Sequence, residues 1–180
     1  GEMFTYDSDL EFDIGAPWYR PTRVNHVTSA SEFGWRAGSA KWPDYFADGN
    51  GSVCDIGPGS PTAIAFGYDA AFPAEYRDKL FLCDWTFGTI YTLTLEESGS
   101  TYTGTKQIFL SGSPLNITAM RFGPDGAMYF LIGWRNTDSK LYRIRWTGGA
   151  IDRSPVPAKT GNQELRDLRH RLERLVEGGG

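Results

Sequence analysis

The sequence predicts an all-β chain of repeated antiparallel units, the arrangement of β-propeller blades, followed by a linker and one amphipathic α-helix. Three observations carry this. Aromatic residues make up 14% of the 180 residues, alongside 22 Gly and 10 Pro. Strands favour aromatic and β-branched side chains while Gly and Pro serve tight turns, so many short strands are expected and a helical bundle is not. A run of strand-like segments recurs after about fifty residues, the length of a four-strand blade. Within each copy the side chains alternate with the period of two that sends neighbours to opposite faces of a strand.

Residues 1–60 are expected to form the first blade and hold the least ordinary sequence. Asp7, Asp9, Glu11 and Asp13 alternate with Ser8, Leu10 and Phe12. On a strand this sets four carboxylates on one face, about 7 Å apart in successive pairs. In a loop the same spacing resembles a hard-cation site, with Ca2+ the expected ion. The rival reading is a solvated acidic edge that discourages strand pairing. An EF-hand loop is excluded, because Phe12 stands where Gly is needed and Trp18 where Glu is needed.

The next stretch, 17–26, holds Pro17 and Pro21, which rule out a regular element interior. Trp18, Tyr19, Arg20, Arg23, Asn25 and His26 gather there. Such a loop can stack on a ring and hydrogen-bond hydroxyls or a carboxylate. His26 is the candidate general base, since an ordinary imidazole titrates near neutrality. The simpler reading pairs Arg20 and Arg23 with the carboxylates at 7–13 and leaves His26 structural. The only other histidine is His170, and no Ser-His-Asp order or metal-spaced histidine pair is visible. Phe33-Gly34-Trp35-Arg36 reads as a strand end and loop that adds Trp35 and Arg36 to the rim of this candidate site.

The first copy of the repeat comprises 61–67, 80–84 and 88–95, with 101–110 as a fourth strand, giving a blade over 61–111. Ile90, Thr92 and Thr94 share one face of its third strand, and Tyr91, Leu93 and Leu95 the other. The second copy comprises 117–123, 127–132 and 140–146, a blade over 114–147, with Gly123-Pro124-Asp125-Gly126 as a turn between strands. It stops after its third strand. Either a segment preceding Gly1 in a longer protein supplies the outer strand, which would remove an exposed edge, or the blade is simply cut. Trp85 and Trp134 occupy equivalent places before the third strands. Trp85 is a candidate rim residue, with packing between blades as the simpler reading.

Residues 148–161, with Pro155 and Pro157, read as a linker. Over 162–177 Leu165, Leu168, Leu172, Leu175 and Val176 fall on one helical face. Thr160 with Gln163 fits a capping box, and Asn162 is a rival cap. Asp167 with Arg171 and Arg169 with Glu173 are paired at i,i+4. The leucine stripe needs a partner, either the propeller or a further helical region.

Composition also excludes classes. A formal net charge of −4 argues against a nucleic-acid partner, which needs clustered positive charge. No apolar run approaches the roughly 18–20 residues of a membrane helix. Cys54 and Cys83 form no CxxC motif, and both a disulfide between them and two ordinary thiols are open. The start at Gly1 and the closing glycines 178–180 suggest a piece of a longer protein.

Several of these stretches together resemble the glucose/sorbosone dehydrogenase superfamily of six-bladed propellers. The resemblance is carried by 8–12, Phe33-Gly34-Trp35, 72–77, 80–95 and 123–129. The run from Asp13 through Trp18-Tyr19-Arg20-Pro21-Thr22-Arg23 more closely resembles a bacterial subgroup of membrane-bound dehydrogenases. Those carry the propeller, then HEAT-type helical repeats, then a c-type cytochrome domain. The resemblance covers 1–147. It implies that this stretch is the C-terminal half of the propeller, about three blades, and that 162–177 begins the helical repeats. It further implies oxidation of a sugar or polyol, electron transfer to a quinone or the tethered cytochrome, and a periplasmic or extracellular location. Haem would lie only in a domain outside this chain, and the family's catalytic histidine in an earlier blade. In the soluble quinoprotein members one Lys and two Arg hold the carboxylates of pyrroloquinoline quinone. Those places are Thr86, Asn116 and Thr118 here, and neutral side chains supply no such charge pairing. That quinone in that pose is therefore not expected. The rival function is a non-catalytic propeller that binds carbohydrate or protein.

Overall fold

The computed structural model describes residues 2–35, 42, 45–47, 49–135, 138–151 and 153–177. It is mostly β, with three antiparallel sheets and two α-helices. Packing divides the chain into two units: Gly1–Gly57 with Leu95–Gly104 and Ala158–Gly180, and Pro58–Thr94 with Thr105–Pro157.

The first unit is built on strands β1 (Met3–Asp7), β2 (Thr22–Val27) and β3 (Cys54–Gly57), hydrogen-bonded in that order. The loop expected over 17–26 gives way after Pro21 to the central strand β2, which carries Arg23, Asn25 and His26 and is buried from Thr22 to His26, although four of these five side chains are polar. Their burial is tolerated because each of these polar side chains makes at least one hydrogen bond to a neighbouring segment. The register sets Asp7 opposite Arg23, Thr5 opposite Asn25 and Phe4 opposite His26.

Of the strand and loop readings left open for the acidic run, the structure takes the loop. β1 ends at Asp7, and Glu11–Asp13 form a 3-10 turn. Successive turn bonds, Asp13 N to Leu10 O at 2.9 Å and Ala16 N to Asp13 O at 2.8 Å, curl the chain before Pro17. Gly15 follows at φ +89°, a conformation that favours glycine. Local turn chemistry thus overrides the alternation, and the four carboxylates do not share a strand face.

Helix α2 (Gln163–Glu177) belongs to the same unit. Arg166 N bonds to Asn162 O at 3.2 Å, so Asn162 occupies the cap position. Asp167 accepts from Gln163 Nε2 at 2.8 Å, and Arg169 pairs with Glu173 as the sequence predicts. The linker before it is anchored, since Lys159 Nζ donates to Leu95 O.

The second unit holds β4 (Pro61–Phe66), the short α1 (Ala74–Arg77), β5 (Leu80–Asp84), and most of β6 (Thr89–Ser98) and β7 (Thr101–Ser111), whose far ends fall in the first unit. These strands form a sheet in the order β4-β5-β6-β7, the four-strand blade read from the repeat. A second sheet holds β8 (Ile117–Phe122), β9 (Met128–Ile132) and β10 (Lys140–Ile144) in sequence order. Strand β8 packs on β4 and β5. The core between these sheets contains Phe81, Cys83, Ile90, Ile117, Met120, Met128 and Phe130. Fully burying a side chain such as Phe81 contributes about 1.5–3 kcal/mol.

Two details follow from this packing. Every residue of β5 is buried, and β6 is covered on both faces as far as Leu95, so neither shows a clean buried-exposed alternation. The β8–β9 turn needs a glycine: Gly126 has φ +76°, and a Cβ there would stand 2.6 Å from Ala71 N. Strand β10 is the outer strand of its sheet, with four of its five residues exposed. Cys54 and Cys83 are both free thiols.

Candidate functional site

In the first unit, the chain between β1 and β2 is tied back by the acidic run. Asp7 Oδ2 accepts from Asn25 Nδ2 at 3.0 Å and from Trp35 Nε1 at 3.2 Å. Asp9, 5% exposed, accepts from the Tyr19 hydroxyl at 2.7 Å. Burial, then this carboxylate partner, pushes the Tyr19 phenol up, so it stays protonated as a donor. Arg23 lies buried at the middle of β2 and donates to Phe33 O. The loop carrying Trp35 is shaped by Glu32, whose carboxylate accepts from Gly34 N at 2.6 Å, and by Trp42 N donating to Gly34 O at 2.9 Å.

The structure therefore brings Asp7, Asn25 and Trp35 onto one carboxylate, and Asp9 onto Tyr19. Trp18 is 60% exposed and Trp35 39%, so both present indole surface, with Arg20 half-buried. Arg23 and Asn25 are enclosed and hold the loop in place. Arg36 lies outside the described residues. Glu11 is exposed and Asp13 half-buried on the 3-10 turn. Among the described residues no three His, Cys, Asp or Glu side chains are grouped closely enough to hold a metal ion.

His26 sits in a different cluster of the same unit. Its Nε2 lies 2.7 Å from Glu2 and its Nδ1 2.9 Å from Thr101 Oγ1, with the ring stacked on Phe4 and edge-on to Tyr102. Glu2 also takes both Arg169 and His170 from α2. With both ring nitrogens engaged and the ring buried, His26 serves as a junction. Sequence reasoning missed Glu2 and Arg169; they are 167 residues apart, and no local pattern links them.

Trp85 belongs to the second unit. Its Nε1 donates to Gly133 O at 3.1 Å, and its ring meets Trp134 edge-on at 5.6 Å. Asn116 Nδ2 donates to Trp85 O at 2.9 Å. The equivalent tryptophans of the two repeats thus join the two sheets, the packing role foreseen beside the rim role. Asp84, fully buried, accepts from Thr86 N at 2.8 Å and Ser60 N at 3.1 Å and sets this loop.

Thr86, Asn116 and Thr118, the positions compared with quinone-holding residues in the sequence, make hydrogen bonds within the second unit. Thr86 bonds Ser60 Oγ at 2.8 Å, Asn116 bonds Trp85 O, and Thr118 bonds Leu131 O at 3.3 Å. All three are uncharged, and each makes a hydrogen bond within the fold.

No known family description matches this chain, and no curated protein matches it. Among solved structures it is similar to the class of glucose dehydrogenases with a propeller-like fold. One is an oxidoreductase (glucose dehydrogenase) from Thermus thermophilus, at 18% identity and TM-score 0.61, covering 79% of this chain and 41% of that one. A second glucose dehydrogenase aligns at 20% identity and TM-score 0.63, covering 82% and 41%. A third aligns at 21% and TM-score 0.56, covering 71% and 39%. The chain thus spans about two fifths of their length, and the likeness establishes a partial propeller-like fold.

Proposed function

We propose that this chain is part of an oxidoreductase acting on a sugar or related polyol, with electrons leaving to a quinone or to a c-type cytochrome domain of the same polypeptide. The observation that supports this is the likeness to glucose dehydrogenases over 82% of the chain. The proposal extends to a periplasmic or extracellular setting beside helical repeats. On the first unit, Trp18 and Trp35 offer indole faces that stack on the apolar side of a sugar ring, and Arg20 a guanidinium for its hydroxyls. Asp7 accepts from the indole N–H of Trp35 and so sets the ring's orientation. Arg23, Asn25, Tyr19 and His26 act by positioning. Asp7 and Asp9 enter this reading as acceptors for side chains of the fold.

The test is to offer aldoses and polyols, with an artificial electron acceptor, to the natively expressed protein. Substrate-dependent reduction is expected, and no turnover with or without added quinone contradicts the reading. A second reading, a carbohydrate-binding propeller without catalysis, is favoured by the neutral set Thr86, Asn116 and Thr118. Sugar titration followed by tryptophan fluorescence separates the two: saturable quenching without turnover selects the binding module.

A further inference from the structure

Helix α2 has two unlike faces, and its polar one is turned inward. Arg166 pairs with Glu97, and Arg169 Nη2 lies 2.7 Å from each oxygen of Glu2. Arg169 Nε also donates to Ser100 O at 3.0 Å, and Glu173 accepts from Ser29 N at 3.4 Å. The apolar face points away: Leu165, Leu168, Leu172 and Leu175 are 46%, 44%, 55% and 72% exposed. These four leucines fall on alternate three- and four-residue steps, the a/d seam of a coiled coil. Inward ion pairs fix the helix against its own unit, so the seam is left for something else.

The charges along the seam point to its partner. Glu164 and Asp167 flank its first half, Arg171 and Arg174 its second, and all four are exposed. A second α2 laid antiparallel sets Leu165 and Leu168 against the other copy's Leu175 and Leu172. It also sets each acidic half against a basic half. All four lie on one flank of the seam, and that flank meets its own counterpart only in an antiparallel pair; in a parallel pair it would face the other flank and the complementarity would be lost. We infer that α2 is a homodimerisation seam that pairs antiparallel with the α2 of a second copy about a twofold axis. Both ends of such an interface are identical, so each complementary contact is made twice. This inference does not depend on the sugar reading.

Sedimentation equilibrium of the 180-residue chain tests it. The average mass should climb from 20.0 kDa towards twice that value as concentration rises. Leu168→Asp with Leu172→Asp should stay monomeric, with helix content by circular dichroism unchanged because the inward face is untouched. Glu164→Arg with Asp167→Arg should weaken association about tenfold, from several exposed pairs acting together. Mixing it with Arg171→Glu/Arg174→Glu should restore the pairing. Orientation is read by oxidation: a mixture of Leu165→Cys and Leu175→Cys chains should cross-link to each other. Leu165→Cys alone should not, since its own copies would lie about 15 Å apart. A monomeric parent chain, or a dimer indifferent to the leucine pair, overturns the seam. Self-cross-linking of Leu165→Cys overturns the antiparallel pairing.

Discussion

Glu2 joins β1, β2 and α2 through three basic side chains. Burial raises its carboxyl pKa, but hydrogen bonds from His26, His170 and Arg169 outweigh that and hold it down to about 2. His26 is lowered from 6.5, chiefly by burial, while Glu2 works in the opposite sense. The two shifts give stability a common pH dependence. A lowered histidine contributes its full stabilisation above about 6.5 and loses it as pH falls through its folded value. A lowered carboxylate contributes in full above 4.5 and loses it as pH falls towards about 2. Guanidinium unfolding between about pH 7 and pH 3 should therefore show stability falling in two stages. His26→Gln should flatten the upper stage and Glu2→Gln the lower, and an unchanged profile in both contradicts this picture. At neutral pH Glu2→Ala should cost about 1–3 kcal/mol, because it strips partners from buried donors. This junction was hidden in the sequence, since Glu2 carries no motif and its partners lie far along the chain. Asp7 and Asp9 were visible as an unusual acidic run. Their use as acceptors was not, because the indole that Asp7 receives comes from Trp35, 28 residues on.

Strands and turns were far more legible than these contacts. The two repeat copies produced β4 to β7 and β8 to β10 where the pattern put them, since turn residues and strand propensity are local signals. The acidic alternation left strand and loop open, and the chain takes the loop because it curls at Glu11–Asp13, where turn bonds outweigh a period of two. The leucine stripe of α2 was also plain from spacing. What spacing does not encode is that Arg166 and Arg169 would find half-buried carboxylates and turn that stripe outward. Two substitutions probe the second unit. Phe81→Ala should cost about 3–5 kcal/mol, since its ring is fully enclosed between the sheets. Gly126→Ala should cost at least about 1 kcal/mol, from the positive φ and the backbone of Ala71 at its Cβ position. Either cost is read from the midpoint of urea unfolding, and a loss below about 0.5 kcal/mol for Gly126→Ala contradicts the fit described for the turn.

At the scale of the whole molecule, three sheets with a partial propeller-like fold carry two distinct chemistries. The first unit presents an aromatic, arginine-bearing surface supported by Asp7 and Asp9. The second joins its sheets through Trp85 and Trp134 and places uncharged groups at Thr86, Asn116 and Thr118. If Trp18 and Trp35 stack on the sugar, replacing both by alanine should raise KM about three- to tenfold while the fold is retained. The most direct measurement is aldose- or polyol-dependent reduction of an artificial electron acceptor by the natively expressed protein, with the Trp18→Ala/Trp35→Ala variant beside it. The sugar-oxidoreductase reading predicts turnover in the parent and the KM rise in the variant. Absence of turnover in the parent on every aldose and polyol, with or without added quinone, would contradict it.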